Sequence, residues 1–281
     1  MEAGCVVRAP QHVVFTRDHM LRAHNRDTRD EAVFETDADY DVVEWDGHLY
    51  IAFLSDGALT VQSLASDALH RISPPTRSGG GVVLWAPSAY TDEPICFVST
   101  ASAVYVARRH NGFCVSALHN HKRGVPRMSV GLYRKKLAVA LLFDDGYIVI
   151  SATGEWLAMG SDTVKGAPLA VGIDYEDVAR AYIVEKEIVI RRDHIPDKSF
   201  SAMGCRIRGR YVVTEAGVID VARVEYVDRT ANVRAVSDLG GGDLCVATAS
   251  EVVVHARPAM LQWVFAAIGL VLLIGFLNIS G

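Results

Sequence analysis

The sequence predicts an all-β fold: a six- or seven-bladed β-propeller followed by one C-terminal transmembrane helix. Three observations predict it. Val, Ile, Tyr and Phe alternate with polar residues in short runs, which is the period of a half-buried strand. Groups of about four such runs recur roughly every 40 residues, the length of a propeller blade. The chain then closes on 21 residues, 259–279, without a charge.

The groups follow in order. Residues 40–73 read YDVVEWDGHLY, IAFLSDG, ALTVQSL and ALHRIS. Residues 81–118, 126–160 and 167–204 repeat the scheme. The second run of a group ends in a turn signal, Ser55-Asp56-Gly57, Thr100-Ala101-Ser102 or Asp144-Asp145-Gly146. Asp-Gly predicts a tight hairpin, because Gly accepts a positive φ. The ends are less regular. Residues 12–37 form a partial blade, 205–226 a short one, and 232–256 supply three strands. Cys5-Val6-Val7 is the candidate outer strand for that last blade, closing the ring and removing free edges. Two stacked β-sandwiches are the alternative architecture.

The tail, AMLQWVFAAIGLVLLIGFLNI, is long enough to span a bilayer core as a helix, which satisfies its own backbone groups there. Pro258 suits the first helical turn. Trp263 fits the headgroup level, and Phe265, Leu270, Leu272, Leu273 and Phe276 form the lipid-facing anchor. Each central Leu, Ile, Val or Phe favours insertion by about 0.3–0.6 kcal/mol. A buried core helix is the alternative, but the run has no polar stripe. Met1–Pro10 shows no basic region leading into an apolar one, so it does not read as a secretory signal. Only Ser280 and Gly281 follow the span, which implies post-translational insertion with the head in the cytosol. Arg257 and His255 on the head side agree with that orientation. The expected division is a cytosolic propeller over 1–257 and a tail anchor over 258–281, in the endoplasmic reticulum membrane.

Composition narrows the function. The net charge is −5 and half the residues are hydrophobic. An acidic head argues against nucleic acid, whose phosphates require a basic face. Cys5, Cys96, Cys114, Cys205 and Cys245 are scattered and odd in number, which indicates neither zinc ligation nor a disulfide framework. No cofactor is expected.

The remaining motifs read as surface. His119-Asn120-His121 lies between blades beside Lys122 and Arg123, as an exposed polar loop. Asp37-x-Asp39-x-Asp41 lacks the Gly and Glu of a calcium loop, having Val42 and His48 in their places, and reads as a solvated connection. Gly79-Gly80-Gly81 and Gly240-Gly241-Gly242 are followed by neither Lys-Ser nor Lys-Thr, so they are turns rather than phosphate cradles. Basic clusters at Arg108-Arg109 and Lys122-Arg123 are the candidate partner-binding residues. No hydrolase or transferase signature is present, so no catalytic residue is assigned.

Residues 232–250, NVRAVSDLGGGDLCVATAS, look like a late WD-type blade. Together with the C-terminal span they give the chain an architecture that resembles the tail-anchored WD-repeat exchange factor of the endoplasmic reticulum, the prolactin regulatory element-binding protein family. The resemblance implies a small GTPase of the Sar type as partner. It also implies guanine-nucleotide exchange in coat protein complex II vesicle formation. That family carries a glycine-rich potassium-binding loop with a functional Asn near its first blade. Residues 12–37 contain no glycine run, so no such Asn is carried over. A non-catalytic adaptor displaying loops to a trafficking or viral partner is the alternative.

Overall fold

In the computed structural model, alternation of apolar residues becomes an array of antiparallel sheets, each formed by consecutive strands. The structure describes the strands between Glu2 and His255. It describes the connections from Gly81 onward apart from residues 110–112, 163, 234, 241–242 and 249–251. Residues 256–281, which include the expected anchor Trp263–Phe276, lie outside the described residues. Among the described residues no helix is long and apolar enough to cross a membrane.

The first sheet is β1 (Glu2–Val6), β2 (His12–Arg17), β3 (Met20–Asn25) and β4 (Glu31–Glu35). The second is β5 (Tyr40–Trp45), β6 (His48–Ser55), β7 (Ala58–Ser63) and β8 (Leu69–Ile72). Next come β9 (Gly81–Trp85), β10 (Ile95–Thr100), β11 (Ala103–Arg109) and β12 (Phe113–Asn120). A 3-10 turn, Ser88–Tyr90, lies between β9 and β10. β13 (Arg127–Tyr133), β14 (Lys136–Phe143), β15 (Gly146–Ser151) and β16 (Trp156–Ser161) follow. Then come β17 (Ala167–Asp174), β18 (Asp177–Val184), β19 (Glu187–Arg192) and β20 (Ile195–Ser201). β21 (Arg206–Arg208), β22 (Tyr211–Thr214), β23 (Gly217–Asp220) and β24 (Glu225–Asp228) form the next sheet. The last has three strands, β25 (Ala235–Gly240), β26 (Asp243–Ala247) and β27 (Val252–His255).

The fold is an all-β propeller. The complete four-stranded blades that build the described core, within β5 to β24, number five rather than six or seven. The sheets at the two ends are described chiefly by their backbone pairing. One expected pairing is corrected. Cys5 and Val6 belong to β1, which pairs with β2 in the first sheet and supplies no outer strand to the last. The ring meets instead by packing, with β1 beside β25.

The core explains the fold. It forms layers between successive sheets, and each strand feeds two of them. In β14, Val139, Leu141 and Phe143 pack toward the β9–β12 sheet. Ala138, Ala140 and Leu142 pack toward β17 and β18. Side chains that alternate across a strand thus meet apolar neighbours on both faces. Burying each Leu or Phe contributes about 1.5–3 kcal/mol. Outer strands see less of this: β15 is buried throughout, whereas β12 is mostly exposed or half-buried.

Turn chemistry matches the strands. Gly146 and Gly217 open the third strand of their sheets at φ +149 and +131. A Cβ at either would collide with the carbonyl of Gly160 or Asp228. Thr100 and Thr214 close the second strand of their sheets. Each hydroxyl donates to a carbonyl three residues on, that of Ala103 or Gly217, at 3.1 Å.

Strand number sets direction. In a four-stranded antiparallel sheet the fourth strand ends on the face where the first began. Short connections, such as residues 121–126, 162–166 and 202–205, start the next sheet on that same connection face. A parallel bridge, Tyr133↔Tyr175, shows the ends of β13 and β17 side by side. With three strands, the last sheet ends β27 on the opposite face.

Candidate functional site

The first strands of the sheets converge on the axis, and there the described side chains enclose a cavity of about 50 Å³. Asp41, Trp85, Ser129, Arg208, Arg210 and Asp238 supply its polar lining. Asp41 is a buried residue of β5. Its carboxylate accepts hydrogen bonds from the backbone N–H of Val42 and of Trp85, both at 2.8 Å. It also accepts one from the Arg208 guanidinium at 2.6 Å. The Trp85 indole N–H donates to the Asp41 carbonyl at 3.1 Å. One side chain therefore ties three sheets together. Burial pushes the Asp41 carboxyl above the ordinary range, while Arg208 and the Trp85 and Val42 N–H groups pull it back.

Arg208 and Arg210 flank Gly209 in the β21–β22 turn, where φ is +54. Arg210 donates to the Tyr211 hydroxyl at 2.7 Å and lies 3.4 Å from both Asp220 and Asp238. Burial opposes its charge, yet Asp238, Tyr211 and Asp220 hold its pKa well above the ordinary value. Burial raises the Asp220 carboxyl, and Arg210 acts against the rise. Ser129 is 2% exposed, and its hydroxyl has no partner among the described residues. The 3-10 turn after β9 lies against β5 and β25, beside this cavity. The arrangement is a set of mutually neutralising ion pairs around a space for a few waters.

Sequence reasoning missed this cluster. Asp41 was read as part of a solvated connection, but it is a buried strand residue. The signal was present: an acid after Tyr40 heads an otherwise apolar strand, and Arg-Gly-Arg sits between two strands. A second buried cluster was also missed. Arg180 of β18 is 2% exposed and pairs with Asp162 at 2.8 Å and Asp193 at 2.7 Å. Its guanidinium lies 4.7 Å from the Tyr147 ring centroid.

The His119-Asn120-His121 reading is corrected too. His119 and Asn120 end β12, and His121 is buried at 8% exposure, edge-on to Phe143 at 5.1 Å. Neither ring nitrogen of His121 has a partner among the described residues. Burial is the main reason its pKa falls below the ordinary value, with His119 and Arg123 adding to the effect. Among the described residues no three His, Cys, Asp or Glu side chains are grouped to hold a metal.

The four basic candidates do not converge. Arg108 and Arg109 end β11 on the face opposite the connections, whereas Lys122 and Arg123 lie in a connection. Arg108 donates to the Ala152 carbonyl at 2.5 Å, and Arg109 to the Tyr50 hydroxyl at 2.8 Å. Arg123 pairs with Asp145 at 3.3 Å and lies over Phe143, while Lys122 is exposed. Three of the four thus join neighbouring strands or sheets.

No protein-family model matches the chain, and no curated protein matches it. Solved structures do. The WD40 domain of Neurospora crassa Pan2 aligns with a TM-score of 0.53 at 9% identity, over 90% of this chain and 87% of that one. YCF48 from Cyanidioschyzon merolae gives 0.53 at 12% identity, over 90% and 95%. YCF48 has also been solved bound to D1 peptide. A catalytically inactive virginiamycin B lyase from Staphylococcus aureus, solved with quinupristin, gives 0.52 at 11% identity, over 90% and 93%. At such identities the likeness is one of fold: a β-propeller with WD40-like neighbours.

Proposed function

We propose that the chain is a membrane-tethered β-propeller that binds a protein partner at the endoplasmic reticulum. The candidate partner is a Sar-type small GTPase, and the candidate activity is guanine-nucleotide exchange in coat protein complex II vesicle formation. The axial cavity carries the binding part of this reading. Its charges are spent on one another, and about 50 Å³ is far below the roughly 300–1,000 Å³ of a small-molecule site. With its axis filled by paired charges, the propeller offers its faces and loops to a partner. YCF48, of the same fold, has been solved with a peptide bound. The tether rests on the uncharged run 259–279.

Exchange would need no covalent chemistry, only a rigid surface that binds the nucleotide-free GTPase more tightly than the loaded form. The test is release of a fluorescent GDP from a Sar-type GTPase, with the full chain in vesicles. Acceleration by at least about tenfold, a barrier lowered by about 1.4 kcal/mol, is the expected outcome. Unchanged release sinks the exchange activity. A stable complex without acceleration identifies the adaptor instead, a reading favoured by the lack of a glycine run in residues 12–37.

A further inference from the structure

We infer that the propeller lies with one particular face against the bilayer: the face at which β27 ends, opposite the inter-blade connections. The inference rests on the membrane-tether reading and adds an orientation to it. Two independent observations carry it.

The first is reach. β27 ends at His255, and the uncharged run begins at Ala259. Three residues span at most about 10 Å even when fully extended. A chain leaving β27 enters the membrane almost at once, so the face where β27 ends is brought to the headgroups. The odd strand count of the last sheet decides which face that is. A fourth strand would have returned the chain to the connection face.

The second is what that face displays. Tyr175 lies in the β17–β18 turn and is 51% exposed. Ile195 opens β20 after the Asp193-His194 turn and is 47% exposed. Trp156 opens β16 at the rim and is 50% exposed, but its ring packs edge-on against His119 near the connection end of β12, so it belongs to the side of the ring. Tyr175 is the exposed large aromatic side chain of this face among the described residues. Tyr and Trp favour the membrane interface, where an apolar ring and a polar edge are both accommodated. Exposed Arg134 and Lys135 stand in the adjacent β13–β14 turn, which the Arg134 N–H ties to the Tyr175 carbonyl at 2.6 Å. Nearby acids temper their charge: Asp174 and Asp177 pair with Arg192, Asp193 pairs with Arg180, and Glu176 is exposed. The recognised chemistry is therefore the bilayer interface itself more than anionic charge. Tyr175 and Ile195 sit two sheets away from β27, so contact at both places lays the face flat. The connection face carries the exposed aliphatic side chains Val125 and Met203 beside Lys122 and the Glu215-Ala216 turn, and is left for a protein partner.

The experiment uses the full chain reconstituted into phosphatidylcholine vesicles, with and without phosphatidylserine, with Cys5, Cys114 and half-exposed Cys205 replaced by Ser and buried Cys96 and Cys245 kept. Single cysteines replace Tyr175 or Ile195 on one face and Lys186 or Glu215 on the other. Each carries a bimane label, and quenching by headgroup spin-labelled lipid is measured. At headgroup depth the Tyr175→Cys and Ile195→Cys probes are expected to be quenched at least about threefold more than the other two, with or without phosphatidylserine. Equal quenching on both faces, or stronger quenching at Lys186→Cys and Glu215→Cys, overturns the orientation alone. Loss of the chain from the vesicles on alkaline carbonate washing overturns the tether and the orientation together.

Discussion

Gly146 and Gly217 hold positions that no other residue fills without distortion. Both have positive φ, and a Cβ would press into a neighbouring strand's carbonyl. Gly146→Ala and Gly217→Ala are each expected to destabilise the head by about 1–3 kcal/mol, read as a lowered urea midpoint. Lys186→Ala, in an exposed turn, is the control and should change little. His121 leads to a pH prediction with a defined sign. Its folded pKa is depressed, chiefly by burial, with His119 and Arg123 facing it. Between that value and the unfolded one near 6.5, the unfolded state binds more protons, so stability rises with pH and is lost on acidification. His119 is depressed for the same leading reason and acts with the same sign. The urea midpoint should fall as pH drops from about 7.5 to about 5.5, and His121→Gln should flatten that slope. An unchanged slope would remove His121 from the explanation.

At the scale of the element, the repeat was legible because alternation is local. The groups at 40–73, 81–118, 126–160 and 167–204 correspond strand for strand to four sheets, β5 to β20. Thr100-Ala101-Ser102 and Asp144-Asp145-Gly146 fall on the turns that join second and third strands. What was not legible is non-local. Cys5-Val6-Val7 reads as a strand, but nothing in it says that its partner is β2 rather than the last sheet. Asp41 and His121 read as solvated in the sequence because their residue types favour loops. Their burial depends on Trp85 and Arg208 for the one, and on Phe143 for the other. The Arg108, Arg109 and Arg123 clusters look like free charge in the sequence, and the structure gives each an acceptor or a carboxylate. The Asp41–Arg208 contact joins β5 to β21 across the axis. Removing one partner leaves a buried charge uncompensated, so Asp41→Ala and Arg208→Ala should each cost about 2–4 kcal/mol. The double variant should cost less than their sum. Additive losses, measured by equilibrium unfolding, would show that the two side chains stabilise the ring separately.

Over the whole molecule, one joint differs from all the others. Neighbouring sheets elsewhere are joined by a short connection as well as by packing. β1 and β25 lie side by side without one, more than two hundred residues apart in the chain. Among the described residues no strand is shared across this joint: β1 pairs with β2, and β27 with β26. The consequence is one of timing. During synthesis the earlier sheets can form in turn, but the first sheet lacks its last neighbour until β25 leaves the ribosome. At about 5–20 residues per second, that leaves this joint open for on the order of ten seconds or more. The apolar run 259–279 emerges soon after. On the membrane-tether proposal, a factor that receives the tail would meet a ring that has just shut.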